Sequence, residues 1–141
     1  MKTRNSILRI ILAVLCVVML TPNIMAEEHT TRKQRNYIHS GNELYKQKRY
    51  AEAEVQYSKA LEINPASEIA LYNHAMSLLH QAQPSDTPAA DNPLGMSLKT
   101  LQSLIEAENA TVGEFAAYNL GNYNFGKEQY QDAIECYKRS L

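Results

Sequence analysis

Residues 41–65 read GNELYKQKRYAEAEVQYSKALEINP, a pattern typical of two short antiparallel helices joined by a tight turn. Small residues that would let the two helices approach closely are Gly41, Ala53 and Ala60. Tyr57 is then predicted to fill the space between the helices. Pro65 ends the second helix, because proline has no N–H and disfavours helical geometry at the residue before it. The stretch therefore predicts one helical hairpin.

A second stretch repeats this pattern near the end of the printed chain. Residues 118–141 read YNLGNYNFGKEQYQDAIECYKRSL, and Gly121, Ala133 and Tyr137 have the same spacing as Gly41, Ala53 and Tyr57. The same alignment also pairs Asn42 with Asn122, Tyr45 with Phe125 and Tyr50 with Tyr130. Self-similarity of this kind is the signature of a repeat array.

The pattern resembles the tetratricopeptide repeat, a 34-residue helix–turn–helix unit with a characteristic series of small and large residues. The first copy matches it at Tyr37, Gly41, Leu44, Ala53, Tyr57 and Pro65, and the third at Leu120, Gly121, Ala133 and Tyr137. Ser40, Ala117 and Asn124 depart from the usual residues. The resemblance covers Gln34 to Leu141. It implies an all-α tetratricopeptide helix–turn–helix solenoid of about three repeats, of which the third is incomplete.

The predicted repeats are residues 34–67, 68–111 and 112–141. Their helices are expected at about 32–48, 50–63, 68–83, from Pro93 onward, 112–125 and 130–141, with Ser67 and Asn92 as N-caps. In the second repeat Ala75 takes the place of Gly41, and Ser97, Leu101 and Leu104 take the places of Ala53, Tyr57 and Ala60. This register requires an insertion around residues 81–92, which is either a functional loop or a tolerated surface loop.

The N-terminus has the features of a secretion signal. Residues 1–26 contain Lys2, Arg4 and Arg9, then an apolar run, then a cleavage site after Ala26. We predict a cleaved signal peptide at 1–26, a disordered lead-in at 27–33, and a periplasmic protein. The alternative is an uncleaved signal that anchors the protein in the inner membrane.

Charge and composition argue against several functions. Residues 1–26 hold three basic and no acidic side chains, so their removal changes the formal net charge from −1 to −4. A mildly acidic chain without a basic cluster is not expected to bind nucleic acid. Cys136 would be the one cysteine left, and no histidine lies at helical ligand spacing. The sequence therefore predicts no enzyme, no cofactor, no metal site and no small-molecule substrate.

The resemblance implies that the first helix of each repeat lines a concave groove for an extended peptide or a partner's helix. Carried over by position, the groove residues are Ile38, Asn42, Tyr45, Ile69, Tyr72, Asn73, Met76, Leu79, Phe115, Tyr118, Asn119, Asn122 and Phe125. Aromatic side chains would supply affinity, and Asn42, Asn73 and Asn122 would bond the ligand backbone. Each residue has an alternative assignment, which is packing between neighbouring helices.

Two further implications concern the partner. Some tetratricopeptide arrays hold a partner's C-terminal carboxylate with basic residues, but Ile38, Phe115 and Asn119 occupy those places here. The overall layout resembles the Bat-type tetratricopeptide proteins of aerotolerance operons in Bacteroides-like bacteria. That resemblance implies membrane-anchored Bat-type partners and a role in oxidative-stress tolerance. The third repeat stops short of a capping helix, which indicates either a fragment or a homo-oligomer formed through its open edge.

Overall fold

The computed structural model describes residues 31–83 and 85–141, and within them the regular structure is entirely helical. The predicted signal peptide and residues 27–30 lie outside the described residues. The first helix, α1, covers residues 31–46. It is followed by α2 (Tyr50–Ile63), α3 (Glu68–Gln81), α4 (Pro93–Leu104), α5 (Ala110–Gly126) and α6 (Tyr130–Arg139). By compactness the chain divides into Met1–Lys33 and Gln34–Leu141, and the packing described below belongs to the second unit.

The helix bounds agree with the sequence prediction at most positions, and α2 matches it at both ends. Residues 31–33, assigned to a disordered lead-in, are helical, in keeping with the good helix propensity of Arg32 and Lys33. Ser67 precedes α3 as expected, but its hydroxyl makes no capping hydrogen bond. None of the helices in the described part of the chain is long and apolar enough to span a bilayer.

Consecutive helices pack against each other from α2 to α6. Side-chain hydrogen bonds also join α1 to α3 and α3 to α5, through Asn73 with Asn42 and Asn119 with Tyr72. Helices α1, α3 and α5 therefore lie side by side in one row, as the first helices of a solenoid do.

The core lies where the second repeat meets the third. Its buried members are Ala75, Met76, Leu101, Leu104, Val112 and Ala116. Tyr45, Leu71, Tyr72, Leu79 and Ala107 pack against this cluster and stay partly exposed. The core is therefore shared between repeats, so neither repeat buries its apolar face alone.

The residues that the predicted register of the second repeat places between its helices are buried. Ser97, Leu101 and Leu104 are buried, as are Ala53, Tyr57 and Ala60 at the corresponding positions. The Ser97 hydroxyl donates a hydrogen bond to the carbonyl oxygen of Ala75 at 2.7 Å. This bond satisfies a buried polar group and joins α4 to α3 at the close-contact position.

Close contact between helices explains the glycine at two repeat positions. A Cβ on Gly41 would lie 2.5 Å from Tyr57 Cε1, and one on Gly121 would lie 2.6 Å from Tyr137 Cε1. The second repeat has Leu101 where the others have tyrosine, and there the close-contact residue is Ala75. Each of the two tyrosines therefore faces a glycine, because its flat ring lies directly against the backbone of the other helix.

The turns between paired helices are also repeated. Lys48 and Glu128 both have positive φ, at 60° and 62°, which is uncommon for residues other than glycine. The same backbone hydrogen bonds recur around them, from Arg49 N to Leu44 O and from Gln129 N to Asn124 O. Repeats one and three therefore share their turn geometry as well as their sequence pattern.

The inserted loop, residues 82–92, packs onto the start of α4. Asn92 caps this helix by accepting from Gly95 N at 2.8 Å, and its amide nitrogen donates to the Thr87 carbonyl at 2.8 Å. A Cβ on Gly95 would overlap the carbonyl oxygen of Ala89. One glycine therefore allows the loop backbone to lie directly on the helix.

Replacing this glycine tests the loop packing. Gly95→Ala is expected to lower the free energy of unfolding by about 1–3 kcal/mol, because the added methyl meets backbone rather than a mobile side chain. Urea unfolding followed by circular dichroism measures the loss. Gly126→Ala is the matched control, since a Cβ there meets nothing within 4 Å, and it should be neutral or slightly stabilising. Equal effects of the two substitutions would contradict the packing.

Candidate partner-binding face

The predicted groove residues all lie on the row formed by α1, α3 and α5. Five of them line one cavity of about 230 Å³ between α1 and α3; these are Asn42, Tyr45, Tyr72, Asn73 and Met76. Lys46 and Tyr57 complete its lining. We refer to this cavity as the α1–α3 pocket.

The sequence analysis missed Lys46 and Tyr57 as lining residues. Lys46 is the last residue of α1. A lysine is not one of the apolar residues whose spacing indicates the packed face of a helix, so the pattern did not point to it. Tyr57 was assigned to filling the space between α1 and α2, which it does, and one part of it also reaches the pocket. The spacing that identified its packing role contains no information on this second role.

Hydrogen bonds fix the polar side of the α1–α3 pocket. Asn42 Oδ1 accepts from the Tyr57 hydroxyl at 2.8 Å and from Asn73 Nδ2 at 3.1 Å. Asn42 was expected to bond a ligand, and the structure shows that its oxygen is already used within the protein. Among the described residues, Asn42 Nδ2 and Asn73 Oδ1 have no hydrogen-bond partner. One donor group and one acceptor therefore remain at the pocket.

Burial keeps the tyrosines around the pocket neutral. It raises the pKa of Tyr45 to about 12, and neighbouring Tyr50 and Tyr72 add to the shift. Burial also raises the pKa of Tyr57 and, less strongly, that of Tyr72, where a hydrogen bond from Asn119 opposes the effect. These hydroxyls therefore stay protonated at physiological pH, and the pocket contains no phenolate.

Polar and aromatic contacts continue the face from α3 to α5. Asn119 Nδ2 donates to the Tyr72 hydroxyl at 2.9 Å and to the Phe115 carbonyl at 2.8 Å. The Tyr72 and Phe115 rings lie 6.3 Å apart. Tyr72 and Asn119 are thus engaged within the protein, and they position α5 beside α3.

The predicted residues differ widely in exposure. Ile69, Phe115, Tyr118 and Phe125 are 48%, 53%, 50% and 58% exposed. Met76 is only 8% exposed and belongs to the core, while Tyr72 and Leu79 pack against that core. Ile38, Asn42, Tyr45, Asn73 and Asn119 are partly exposed, and Asn122 is exposed. The exposed apolar surface of the face therefore lies mainly on α5.

Asn122 repeats the arrangement of Asn42. Its Oδ1 accepts from the Tyr137 hydroxyl at 2.9 Å, as Asn42 Oδ1 accepts from Tyr57. In the second repeat the corresponding pair is Met76 and Leu101, and both side chains are in the core. The asparagines at these positions thus hold the tyrosine of their own repeat, which the sequence analysis did not predict.

Little charge lies on the part of this face that α3 and α5 form. Helices α3 and α5 contain two acidic residues, Glu68 and Glu114, and no lysine or arginine. The Glu68 carboxylate accepts from the backbone N–H groups of Glu108 and Asn109 at 2.7 and 2.9 Å. Helix α6, which lies outside this face, has four charged residues among its ten, and they are Asp132, Glu135, Lys138 and Arg139. Helices α3 and α5 are therefore poorer in charge than α6.

An aromatic cluster joins α1, α2 and α3. The His80 imidazole on α3 stacks on the Tyr50 ring, with centroids 4.7 Å apart and an interplanar angle of 13°. Tyr45 meets both rings edge-on, at 5.2 Å from Tyr50 and 5.6 Å from His80. Burial lowers the pKa of His80. The stacked His80 ring thus joins the second repeat to the first.

Stability is expected to fall as the pH drops below about 6.5, the unperturbed pKa of histidine. Burial lowers the pKa values of His74 and His80 in the folded protein, although Glu54 opposes the shift at His74. The unfolded chain then binds more protons than the folded protein, so acid favours unfolding. This destabilisation is absent at pH values above the pKa of histidine in the unfolded chain. Lys48, Arg49 and Glu52 are the charged groups that share a cavity with His80.

Urea unfolding at a series of pH values checks this expectation. A His74→Gln/His80→Gln variant should show a flatter dependence of unfolding free energy on pH between about 7.5 and 5.5. An unchanged slope in the variant would contradict the assignment.

Other parts of the described chain offer no evident chemistry. Cys136 is buried, and burial raises the pKa of its thiol. It lines a cavity of about 310 Å³ between α4, α5 and α6, together with Asn124 and Arg139. Within residues 31–83 and 85–141, no group of three or more His, Cys, Asp or Glu side chains is placed to hold a metal ion.

Comparison with known proteins finds one similarity, which covers the end of α1, all of α2 and most of α3. Residues 41–79 match a family model described as TPR repeat. This segment is therefore similar to the tetratricopeptide repeat. The match runs from the Gly41 close contact through α2 and most of α3, so it includes both sides of the α1–α3 pocket. No curated protein matches the chain.

Proposed function

We propose that the protein is an exported scaffold, not an enzyme, which binds a polypeptide partner on the face formed by α1, α3 and α5. The observation that carries the proposal is the α1–α3 pocket and the aromatic surface beside it. Tyr72 lines the pocket and also lies next to the Phe115 ring, and the rings of Phe115 and Tyr118 are exposed. Tetratricopeptide repeats commonly mediate protein binding, which supports this assignment.

The face suits a polypeptide better than other ligands. The α1–α3 pocket, at about 230 Å³, is smaller than the about 300–1,000 Å³ usual for small-molecule sites. Helices α3 and α5 contain no lysine or arginine, so they offer no cation to phosphates of nucleic acid. Exposed aromatic side chains beside a pocket are typical of surfaces that bind proteins.

The cellular setting of this proposal comes from the sequence. The features of residues 1–26 support export to the periplasm by a cleaved signal, with an anchored protein as the alternative. The resemblance to Bat-type proteins supports a membrane-anchored partner in an aerotolerance complex. Both are proposals that experiments on the intact chain can test.

A capture experiment tests the partner-binding face. The full chain, immobilised, is exposed to periplasmic and membrane extracts and compared with a Phe115→Ala/Tyr118→Ala variant. Both rings are half exposed, so their loss should reduce partner recovery about tenfold with little change in helix content. Tyr72 is a poorer choice, because it packs against the core.

Val55→Ala is the matched control for this experiment. Val55 is equally exposed but lies on α2, outside the proposed binding face. The control should recover the partner as the unmodified chain does. Equal recovery by all three proteins, or equal loss with both substitutions, would count against the face.

A second candidate function is self-association through the third repeat. Phe125 and Tyr130 form an edge-on pair at 5.6 Å, and both rings are exposed, as is Ile134. The corresponding pair in the first repeat, Tyr45 and Tyr50, is covered by His80. Sedimentation velocity over a hundredfold concentration range tests this alternative, and an Ile134→Glu variant should abolish any concentration-dependent increase in size.

A further inference from the structure

His80, near the C-terminal end of α3, belongs to the aromatic cluster with Tyr45 and Tyr50. Its imidazole lies nearly parallel to the Tyr50 ring at 4.7 Å between centroids, and Tyr45 meets it edge-on at 5.6 Å. Tyr45 also lines the α1–α3 pocket. One ring is therefore shared between the cluster and the pocket, so a change at His80 can reach the pocket through a single contact.

The cluster suits the uncharged form of the His80 imidazole. Burial lowers the pKa of this side chain below the value of about 6.5 that is usual for histidine. Protonation would give the ring a second N–H donor, and no acceptor bonds the His80 ring among the described residues. The charged ring would therefore gain hydrogen bonds only by turning toward water.

Charge around His80 also disfavours its protonation. Lys48, Arg49 and Glu52 line the same cavity, of about 430 Å³, as the His80 ring. Arg49 pairs with Glu52, whereas Lys48 has no ion-pair partner among the described residues. The cavity thus holds a net positive charge before His80 is protonated, and like charges repel. Its volume also leaves the ring room to move.

Other charged groups on the elements packed against α3 have partners or surroundings of their own. Glu54 of α2 accepts from Gln81 Nε2 at 3.0 Å, and Asp86 in the loop after α3 accepts from the Gln83 N–H at 2.8 Å. Lys99 of α4 lines a different cavity. The neighbouring helices α1 and α5 contribute the Lys46–Glu43 pair and Glu114. Within the described chain, the unpaired charge that shares the His80 cavity is therefore that of Lys48.

From this geometry we infer that His80 is a pH-sensitive switch that controls the α1–α3 pocket through Tyr45. At neutral pH the uncharged ring holds Tyr45 in place. As the pH falls below about 6.5, the ring is protonated and leaves the stack toward solvent. Tyr45 then loses its edge-on neighbour, and the pocket loses a fixed wall. The inference rests on the proposed function and adds regulation by pH to the same face.

A pH titration of the full chain, labelled with ¹³C and ¹⁵N, tests the switch by NMR. Between about pH 7.5 and 5, the His80 ring should titrate with a midpoint below about 6.5. Nuclear Overhauser effects between the His80 and Tyr50 rings should disappear with the same midpoint. The Met76 methyl signal should shift with it as well, because Met76 lines the pocket without belonging to the aromatic cluster.

The third repeat provides an internal control for this titration. Phe125 and Tyr130 form a similar edge-on pair at 5.6 Å, and no histidine ring contacts that pair among the described residues. Their ring signals should not titrate over the same range. Helix content measured by circular dichroism should stay constant, because the switch is a local change.

Two variants separate His80 from the other histidine of α3. His80→Phe keeps a flat ring that cannot be protonated, so the Met76 signal should become independent of pH. His74→Gln leaves the cluster intact and should keep the transition. Partner recovery in the capture experiment should fall about threefold between about pH 7.5 and 5.5 with the unmodified chain and stay constant with His80→Phe. The NMR titration of the unmodified chain decides the inference even where a variant does not fold.

The outcomes distinguish this inference from the proposed function. A Met76 signal that does not follow His80, a His80 midpoint above about 6.5, or a loss of helix content with the same midpoint overturns the inference. Partner capture that depends on Phe115 and Tyr118 at neutral pH would then still support the binding face. Loss of that dependence with an intact pH transition at the pocket would instead overturn the proposed function and leave the switch standing.

Discussion

Leu101→Ala is expected to lower the free energy of unfolding by about 2–5 kcal/mol. Leu101 is completely buried on α4, in the cluster that joins the second repeat to the third. The substitution removes apolar contacts and leaves a cavity that the surrounding helices can fill only in part. Urea unfolding monitored by circular dichroism measures the change.

Met96→Ala, on the same helix, is the control for this substitution. Met96 is substantially exposed and lies outside the core cluster, so its truncation should change stability by about 0.5 kcal/mol or less. A comparable loss in both variants would contradict the core role of Leu101, because alanine has the highest helix propensity and neither loss could then be ascribed to burial at Leu101.

The sequence was sufficient to predict the helices and which residues of α4 are buried. Small residues recur where helices touch, and large residues recur where the space between helices must be filled. This alternation survives the insertion, so Ser97 and Leu101 could be aligned with Ala53 and Tyr57. The ends of helices were harder to predict, because a frayed last turn leaves little signal, as at the end of α1.

Contacts between repeats could not be predicted in the same way. The pattern placed Asn42 and Asn73 on one face, but it did not show that Asn73 donates to Asn42. The Glu68 carboxylate accepts two hydrogen bonds from the backbone N–H groups just before α5, and these bonds join residues about forty positions apart in sequence. Such contacts depend on how neighbouring helices are placed, and the periodicity of one helix does not specify that placement.

Exposure of the face was predictable only in part for the same reason. Tyr72 and Tyr118 occupy corresponding positions in successive repeats, and both were expected in the groove. In the structure Tyr72 is covered by Asn119 and Phe115 from α5, whereas Tyr118 is half exposed. Equivalent residues thus acquire different roles according to what packs beside them.

Tyr57 and Tyr137 make the same contacts within their own repeats but differ in burial. Each tyrosine ring lies against a glycine of the facing helix. Each hydroxyl donates a hydrogen bond to the asparagine that comes directly after that glycine in the sequence. Tyr57 is fully buried, with α3 packed beside its own repeat. Tyr137 is partly exposed. The same substitution at the two sites therefore measures the effect of a neighbouring repeat.

Tyr57→Ala is expected to lower the free energy of unfolding by about 3–5 kcal/mol, the range for truncating a buried aromatic residue. Tyr137→Ala should cost clearly less, within the about 0.5–3 kcal/mol common for single substitutions, because water already reaches part of its ring. Urea unfolding of the two variants under identical conditions gives the comparison. Equal losses would mean that contacts within a helical hairpin determine its stability. A larger loss at Tyr57 would mean that much of it comes from the adjoining repeat, as expected of an array whose core is shared between repeats.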